Sequence, residues 1–298
     1  MKDKLHQVGY LADDYIATSV MLAIKLSKPI LLEGPAGTGK TELAKAVSRA
    51  LGNPLIRLQC YEGLDEAKAL YEWDYAKQLL AIQIAQRNAL PTDGGQSALG
   101  DDNSQNVKVM KSIFSEDFLL TRPLLQAITS RNQVVLLIDE VDRIDIEMEA
   151  LFLEVLSDFQ VSIPELGTLT AVSQPVVFLT SNDTRDLSEA LKRRCLYLHL
   201  DYPTPEREAA IIRMHLPDID DYLINEITHF VASLRELDLE KPPSISETLD
   251  YATALVMLSA SHITDEEART VINLLLKYKS DLDKVKIMLE KGLEAKKE

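Results

Sequence analysis

Short aliphatic runs alternate with amphipathic stretches through the first two-thirds of the chain. The runs Ile30–Leu32, Leu55–Gln59, Val134–Ile138, Val176–Thr180 and Leu196–Leu200 have the length and residue types of buried strands. Between them, helical patterns run over Lys40–Leu51, Leu64–Ala85, Leu119–Ser130, Met148–Leu156 and Leu187–Arg193. Apolar strands separated by helices predict a mostly parallel sheet covered on both faces. The stretch Gln160–Val172 alternates around Glu165-Leu166-Gly167 and predicts a β-hairpin ahead of the Val176 strand. After Leu200 the strand signal stops. Pro203 and Pro205 break the chain, and everything from about Glu206 onward has helical periodicity. The expected organisation is an α/β domain over residues 1–202 and an all-α domain over 203–298, with Pro242-Pro243 ahead of a helix that starts near Ser244.

Composition narrows the classes. With 46% hydrophobic and 27% charged residues in 298, the chain is ordinary globular protein rather than disordered or fibrous. One segment departs from this: Asn88–Asn106 is rich in Gly, Asn, Asp and Ser and is expected to be a mobile surface loop rather than a binding lid. Acidic residues outnumber basic ones, 47 to 32, for a net charge of −15. Such a surface repels phosphate backbones, which disfavours nucleic acid as a partner. No apolar run approaches the roughly 18 residues that span a bilayer, and the N-terminus lacks the apolar core of a secretion signal. Cys60 and Cys195 show no metal spacing and read as reduced structural thiols. A cytoplasmic location is expected.

The strongest chemical signal is Gly34-Pro35-Ala36-Gly37-Thr38-Gly39-Lys40-Thr41, which follows a strand and opens a helix. Glycines there let backbone N–H groups converge on phosphate oxygens, and the helix N-terminus adds partial positive charge. Lys40 is expected to neutralise the β- and γ-phosphates, and the Thr41 hydroxyl to sit on Mg²⁺. The second signal is Val134-Val135-Leu136-Leu137-Ile138-Asp139-Glu140, a buried strand that ends in two carboxylates. In an open α/β sheet that end is where ligands bind. Asp139 is expected to reach Mg²⁺, directly or through water, and Glu140 to orient and polarise an attacking water. Asn182 ends the Val176 strand and is placed to hold that water. Lys192-Arg193-Arg194-Cys195 leaves two readings open: compensation of a helix dipole, or an arginine delivered to a neighbouring subunit. The five histidines show no ligand spacing, so Mg²⁺ is the only metal expected.

Together these segments resemble the AAA+ ATPases, and within them the MoxR family, in the branch found beside carbon monoxide dehydrogenase-type molybdenum hydroxylase genes. The resemblance rests on Gly9-Tyr10-Leu11-Ala12-Asp13, the loop from Gly34 to Thr41, Leu58-Gln59-Cys60-Tyr61-Glu62-Gly63-Leu64-Asp65, Ala69-Leu70-Tyr71-Glu72-Trp73, Ile138-Asp139-Glu140-Val141-Asp142-Arg143, Arg193-Arg194-Cys195 and Lys241-Pro242-Pro243-Ser244. It implies a P-loop NTPase αβα sandwich with a five-stranded parallel sheet, an inserted β-hairpin and a C-terminal all-α lid. It also implies an insertion near Tyr71–Tyr75, in the helix after the second strand. Gly9 to Asp13, Tyr10 and Leu11 among them, would line the adenine pocket. Arg194 matches the family's arginine finger, Arg193 is the alternative, and Arg143 is a further candidate to act across the subunit interface. ATP and Mg²⁺ are the implied ligands. The implied assembly is a homo-oligomer, a hexameric ring that works with a von Willebrand factor A domain protein on a client metalloenzyme or complex. The chain departs from many AAA+ lids in having no arginine at the start of the helix Pro243-Ser244-Ile245-Ser246-Glu247.

Two other functions use the same loop. A small-molecule phosphotransferase needs an arginine-rich substrate lid, which fits poorly with Asp139-Glu140 followed by a helical domain. A DNA-acting motor needs basic residues in the hairpin, and Gln160–Val172 has none. Tyr71, Trp73 and Tyr75 are read either as residues that grip a substrate at a ring pore or as core.

Overall fold

The structure, a computed structural model, describes residues 1–88, 113–263 and 266–294. Its strands are β1 (Ile30–Glu33), β2 (Leu55–Gln59), β3 (Tyr71–Trp73), β4 (Leu119–Thr121), β5 (Val135–Asp139), β6 (Gln160–Ile163), β7 (Gly167–Thr170), β8 (Val176–Ser181) and β9 (Leu196–His199). Five of them form one sheet in the order β2-β5-β8-β1-β9. In its first pairs the strands run parallel, with Leu55 opposite Val135 and Val135 opposite Val176. Every residue of β1, β5 and β8 is buried, as expected for parallel strands covered by helices on both faces. The hairpin of β6 and β7 pairs Gln160 with Thr170 and Ile163 with Gly167.

The chain divides into two compact units. One comprises Met1–Leu22, Leu32–Ala50 and Tyr197–Glu298, the other Ala23–Leu31 and Leu51–Leu196. In the first, helices Pro205–His215, Asp221–Arg235 and Ile245–Met257 pack around Ile212, Ile227, Val231, Leu234, Tyr251 and Leu255. Each starts at a capping side chain: Thr204, Asp220 and Ser244 respectively. Ser244 and Glu247 form a reciprocal capping box, which satisfies two orphan N–H groups at once. A buried fork pair, Arg235 to Glu208 at 2.6 and 2.8 Å, crosses between two of these helices. In the second unit the core gathers around Leu58, Leu124, Leu136, Ile138, Phe152 and Val177.

Two expected helices are corrected. Leu64–Ala85 is not continuous: it is a short helix Glu66–Ala69, strand β3 and a helix Tyr75–Asn88. The break has a partner, because β3 pairs antiparallel with β4, Tyr71 opposite Thr121 and Trp73 opposite Leu119. Asp74 then caps the next helix by accepting the Lys77 N–H at 2.9 Å. The same pairing removes Leu119–Thr121 from the second expected helix, which begins instead at Pro123, a residue suited to a first helical turn. Trp73 is buried edge-on against Phe114 and Tyr71, so it belongs to the core, whereas Tyr75 is exposed. The segment expected to form a mobile loop lies, beyond Asn88, outside the described residues. No helix among the described residues is long and apolar enough to cross a membrane.

Candidate nucleotide site

β1 hands the chain to the glycine loop, which lies in the first unit and leads into helix Lys40–Leu51. The loop is closely packed. Gly34, at φ +144°, lies where a Cβ would come within 2.1 Å of the Leu200 carbonyl oxygen, and a Cβ on Gly37, at φ +80°, would come within 2.1 Å of Ser244 Cβ. No side chain fits at either position, and the second backbone conformation itself favours glycine. Carbonyls in the loop serve as anchors. Pro35 accepts from the Thr38 hydroxyl at 3.0 Å, Ala36 from Tyr202 at 3.4 Å, and Gly37 from the Ile245 N–H at 3.2 Å. The Lys40 ammonium is buried and donates to the Gly34 and Pro35 carbonyls, each at 2.7 Å. A buried cation beside a helix N-terminus, held by carbonyls of the glycine loop that precedes it, is a phosphate-binding arrangement.

Beside the loop lies a cavity of about 350 Å³, walled by Tyr10, Leu11, Ile211, Ile245 and Leu249 and edged by Arg207. Apolar walls with a few polar groups are the usual form of a small-molecule site, and these dimensions admit a purine. The Tyr10 ring approaches to 3.8 Å from the Cβ position at Gly39, so the cavity abuts the loop. Burial pushes the Tyr10 hydroxyl well above its ordinary pKa, while Arg207 nearby acts in the opposite sense.

In the second unit, Asp139 is the last residue of β5 and is almost fully buried. One of its oxygens accepts from the Thr180 hydroxyl at 2.5 Å; the other is paired with Arg57. Glu140 stands at φ +60°, a left-handed conformation unusual for a residue with a side chain. Its N–H donates to the same Thr180 oxygen at 2.9 Å, and its carboxylate pairs with Arg143 at 2.9 Å. Thr180 thus fixes both acidic residues from the neighbouring strand. Asn182 lies just past β8, and two residues on the Thr184 N–H and hydroxyl both donate to Asp142 Oδ2. Burial acts to raise the Asp142 carboxyl, but the bonds from the Thr184 hydroxyl and backbone, aided by the nearby Asn182 backbone, outweigh it and hold it below its ordinary value.

Arg193 and Arg194 are exposed on the last turn of helix Glu189–Arg194. Arg193 lies 3.7 Å from Glu189, and among the described residues no ion pair or hydrogen bond engages Arg194. That helix is fixed from below by Glu149, which accepts from Arg185 at 2.5 Å and from the Ser188 N–H at 3.0 Å. The Thr41 hydroxyl in the first unit and the Asp139 carboxylate in the second are each hard oxygen donors of the kind Mg²⁺ takes.

Arg57 and Arg207 are not among the residues singled out from sequence, and Ser244 was marked there only as a helix start and motif residue. Arg57 and Gln59 are alternate residues of β2, and a polar pair at period two in an otherwise apolar strand was the available signal. Ser244 was legible as a helix start, but its contact with Gly37 depends on tertiary packing.

A family model, "ATPase family associated with various cellular activities (AAA)", matches residues 30–200. An uncharacterized protein of Staphylococcus saprophyticus is 25% identical over 259 residues, covering 83% of this chain and 82% of that protein. Another, from Staphylococcus haemolyticus, is 25% identical over 260 residues and covers 83% of each. Among solved structures, a mutant of Thermotoga maritima RuvB superposes with a TM-score of 0.51 at 16% identity, covering 89% of this chain and 70% of its own. That likeness is one of fold.

Proposed function

The chain belongs to the ATPase family associated with various cellular activities, and on that premise we propose that it is a Mg²⁺-dependent ATP hydrolase that drives remodelling of a partner protein. The observation that carries the hydrolase reading is the Lys40 ammonium, buried and held at 2.7 Å by two carbonyls of its own glycine loop. In this reading Lys40 moves its bonds from carbonyls to the β- and γ-phosphates, and the backbone amides of Gly37 to Thr41 hold the remaining oxygens. Thr41 and Asp139 would hold Mg²⁺, which would offset charge on the phosphates. Glu140 leaves Arg143 and accepts a proton from water as the water oxygen bonds to the γ-phosphorus and the bond to the leaving ADP oxygen breaks. Asn182 positions that water.

The family resemblance adds the finer assignment. It is of the MoxR type, a cytoplasmic hexameric ring whose Arg194, or Arg193, completes the site of an adjacent subunit. A von Willebrand factor A domain protein and a client metalloenzyme are its proposed partners. The exposure of Arg194, with no partner among the described residues, supports a role outside its own subunit.

The test is Glu140→Gln, which keeps shape and hydrogen bonding but removes the charge. ATP binding is expected to survive while turnover falls on the order of 10²-fold or more. Substantial turnover by the purified variant would refute the role of Glu140. Pull-down with the same variant, which retains ATP, is the route to the client.

A further inference from the structure

Arg207 joins the two walls of the cavity beside the glycine loop. It lies in the first turn of helix Pro205–His215, and Ile211, Met214 and His215, four, seven and eight residues on, line the cavity from that helix. Its guanidinium reaches the opposite wall, donating to the Leu11 carbonyl and to Asp13 Oδ2, each at 3.0 Å. Asp13 is itself fixed, because its other oxygen caps helix Asp14–Leu26 by accepting the Ile16 N–H at 2.7 Å. An isolated exposed ion pair contributes little. Here, however, a planar fork engages a backbone carbonyl and a carboxylate already committed to a helix cap, so the geometry is determined on both sides.

None of these bonds goes to the glycine loop, whose lysine has its own acceptors. The bridge therefore governs the wall-to-wall distance of the cavity, independently of the phosphate end. We propose that Arg207 is the positioning residue for the nucleoside of the bound triphosphate: it holds Tyr10 and Leu11 at the spacing from Ile211 that a base requires. This rests on the nucleotide reading of the cavity given above.

The experiment compares direct binding of Mg-ATP with that of Mg-tripolyphosphate, which has the phosphates and no nucleoside. It uses the wild-type chain, Arg207→Ala, Arg207→Lys and Asp13→Asn. The expected result for Arg207→Ala is a loss of ATP affinity of about 10-fold or more with tripolyphosphate affinity changed by less than about 2-fold. Arg207→Lys keeps the charge without the fork and falls between. Asp13→Asn keeps an oxygen to cap the helix and also loses ATP affinity selectively. If Arg207→Ala does not fold, the other two variants carry the same expectation. Equal losses for both ligands, or none for folded variants, overturn the proposal while leaving the nucleotide reading standing. A wild-type chain that binds neither ligand removes that reading, and the proposal with it.

Discussion

Arg57 places Nη2 at 2.5 Å and Nε at 3.1 Å from the same oxygen of Asp139, reaching from β2 to the end of the adjacent strand β5. The carboxylate is almost fully enclosed, while Arg57 is about half exposed, with side-chain exposures of 4% and 47%. The acid at the strand end is therefore charge-compensated from one side and hydrogen-bonded by Thr180 from the other.

Removing Arg57 leaves an enclosed carboxylate without its counter-charge. Loss of one partner of a fully buried pair costs roughly 3–5 kcal/mol. Because water reaches Arg57, the expected loss for Arg57→Ala is smaller, about 1–2 kcal/mol, and it shrinks when Mg-ATP is present. Denaturant titration with and without Mg-ATP checks both parts. An unchanged midpoint means Asp139 does not depend on this pair.

Gly37→Ala sets a methyl group against Ser244, with 2.1 Å between the Cβ positions, on a backbone at φ +80°. The start of helix Ile245–Met257 has to move, and the Ile245 bond to the Gly37 carbonyl goes with it. Overpacking and backbone strain together predict a loss of about 2–4 kcal/mol and of ATP binding. Melting temperature and nucleotide titration read these separately, and a variant that binds ATP normally contradicts the packing described.

Arg194→Ala is expected to bind ATP yet hydrolyse it poorly, since an arginine finger supplies roughly 10³–10⁵ in phosphoryl transfer. Mixed with Lys40→Ala under subunit exchange, it is expected to regain partial activity. A Lys40→Ala subunit keeps its own Arg194 and can lend it across a head-to-tail interface. No recovery despite demonstrated exchange transfers the role to Arg193 or Arg143.

Glu149 carries a pH dependence. Burial raises its carboxyl, but the Ser188 and Arg185 hydrogen bonds overcome this and hold it below its ordinary 4.5. The folded form binds the proton less readily than the unfolded one. The stabilisation is thus fully present above pH 4.5 and is lost as pH falls through the lower folded value. Asp142 acts in the same sense below its ordinary 3.8. Glu149→Gln is expected to flatten the acid limb of the unfolding curve, as measured by urea midpoints between about pH 5 and 3. A limb as steep as wild type assigns the acid sensitivity elsewhere.

Much of this architecture was legible because it is written in local pattern. The aliphatic runs that became β1, β5 and β8 are buried on both faces and need no alternation to be recognised. The glycine loop and Asp139-Glu140 lie at strand ends that the runs themselves define. What escaped was set by partners distant in sequence. Tyr71–Trp73 has no strand signal of its own and becomes β3 only because Leu119–Thr121 lies against it. Arg57 and Arg207 acquire meaning from Asp139 and Asp13, 82 and 194 residues away. Long-range polar pairs of this kind leave no periodic trace.

The two carbonyls around Lys40 have a thermodynamic consequence. The loop acts as a solvent for its own cation, so an arriving phosphate does not meet a bare charge but replaces one inner shell with another. The heat released is then the difference between an ion–dipole and an ion–ion contact, smaller than the number of new bonds suggests. Discrimination among phosphate ligands follows the formal charge they bring to that exchange more closely than their count of oxygen atoms.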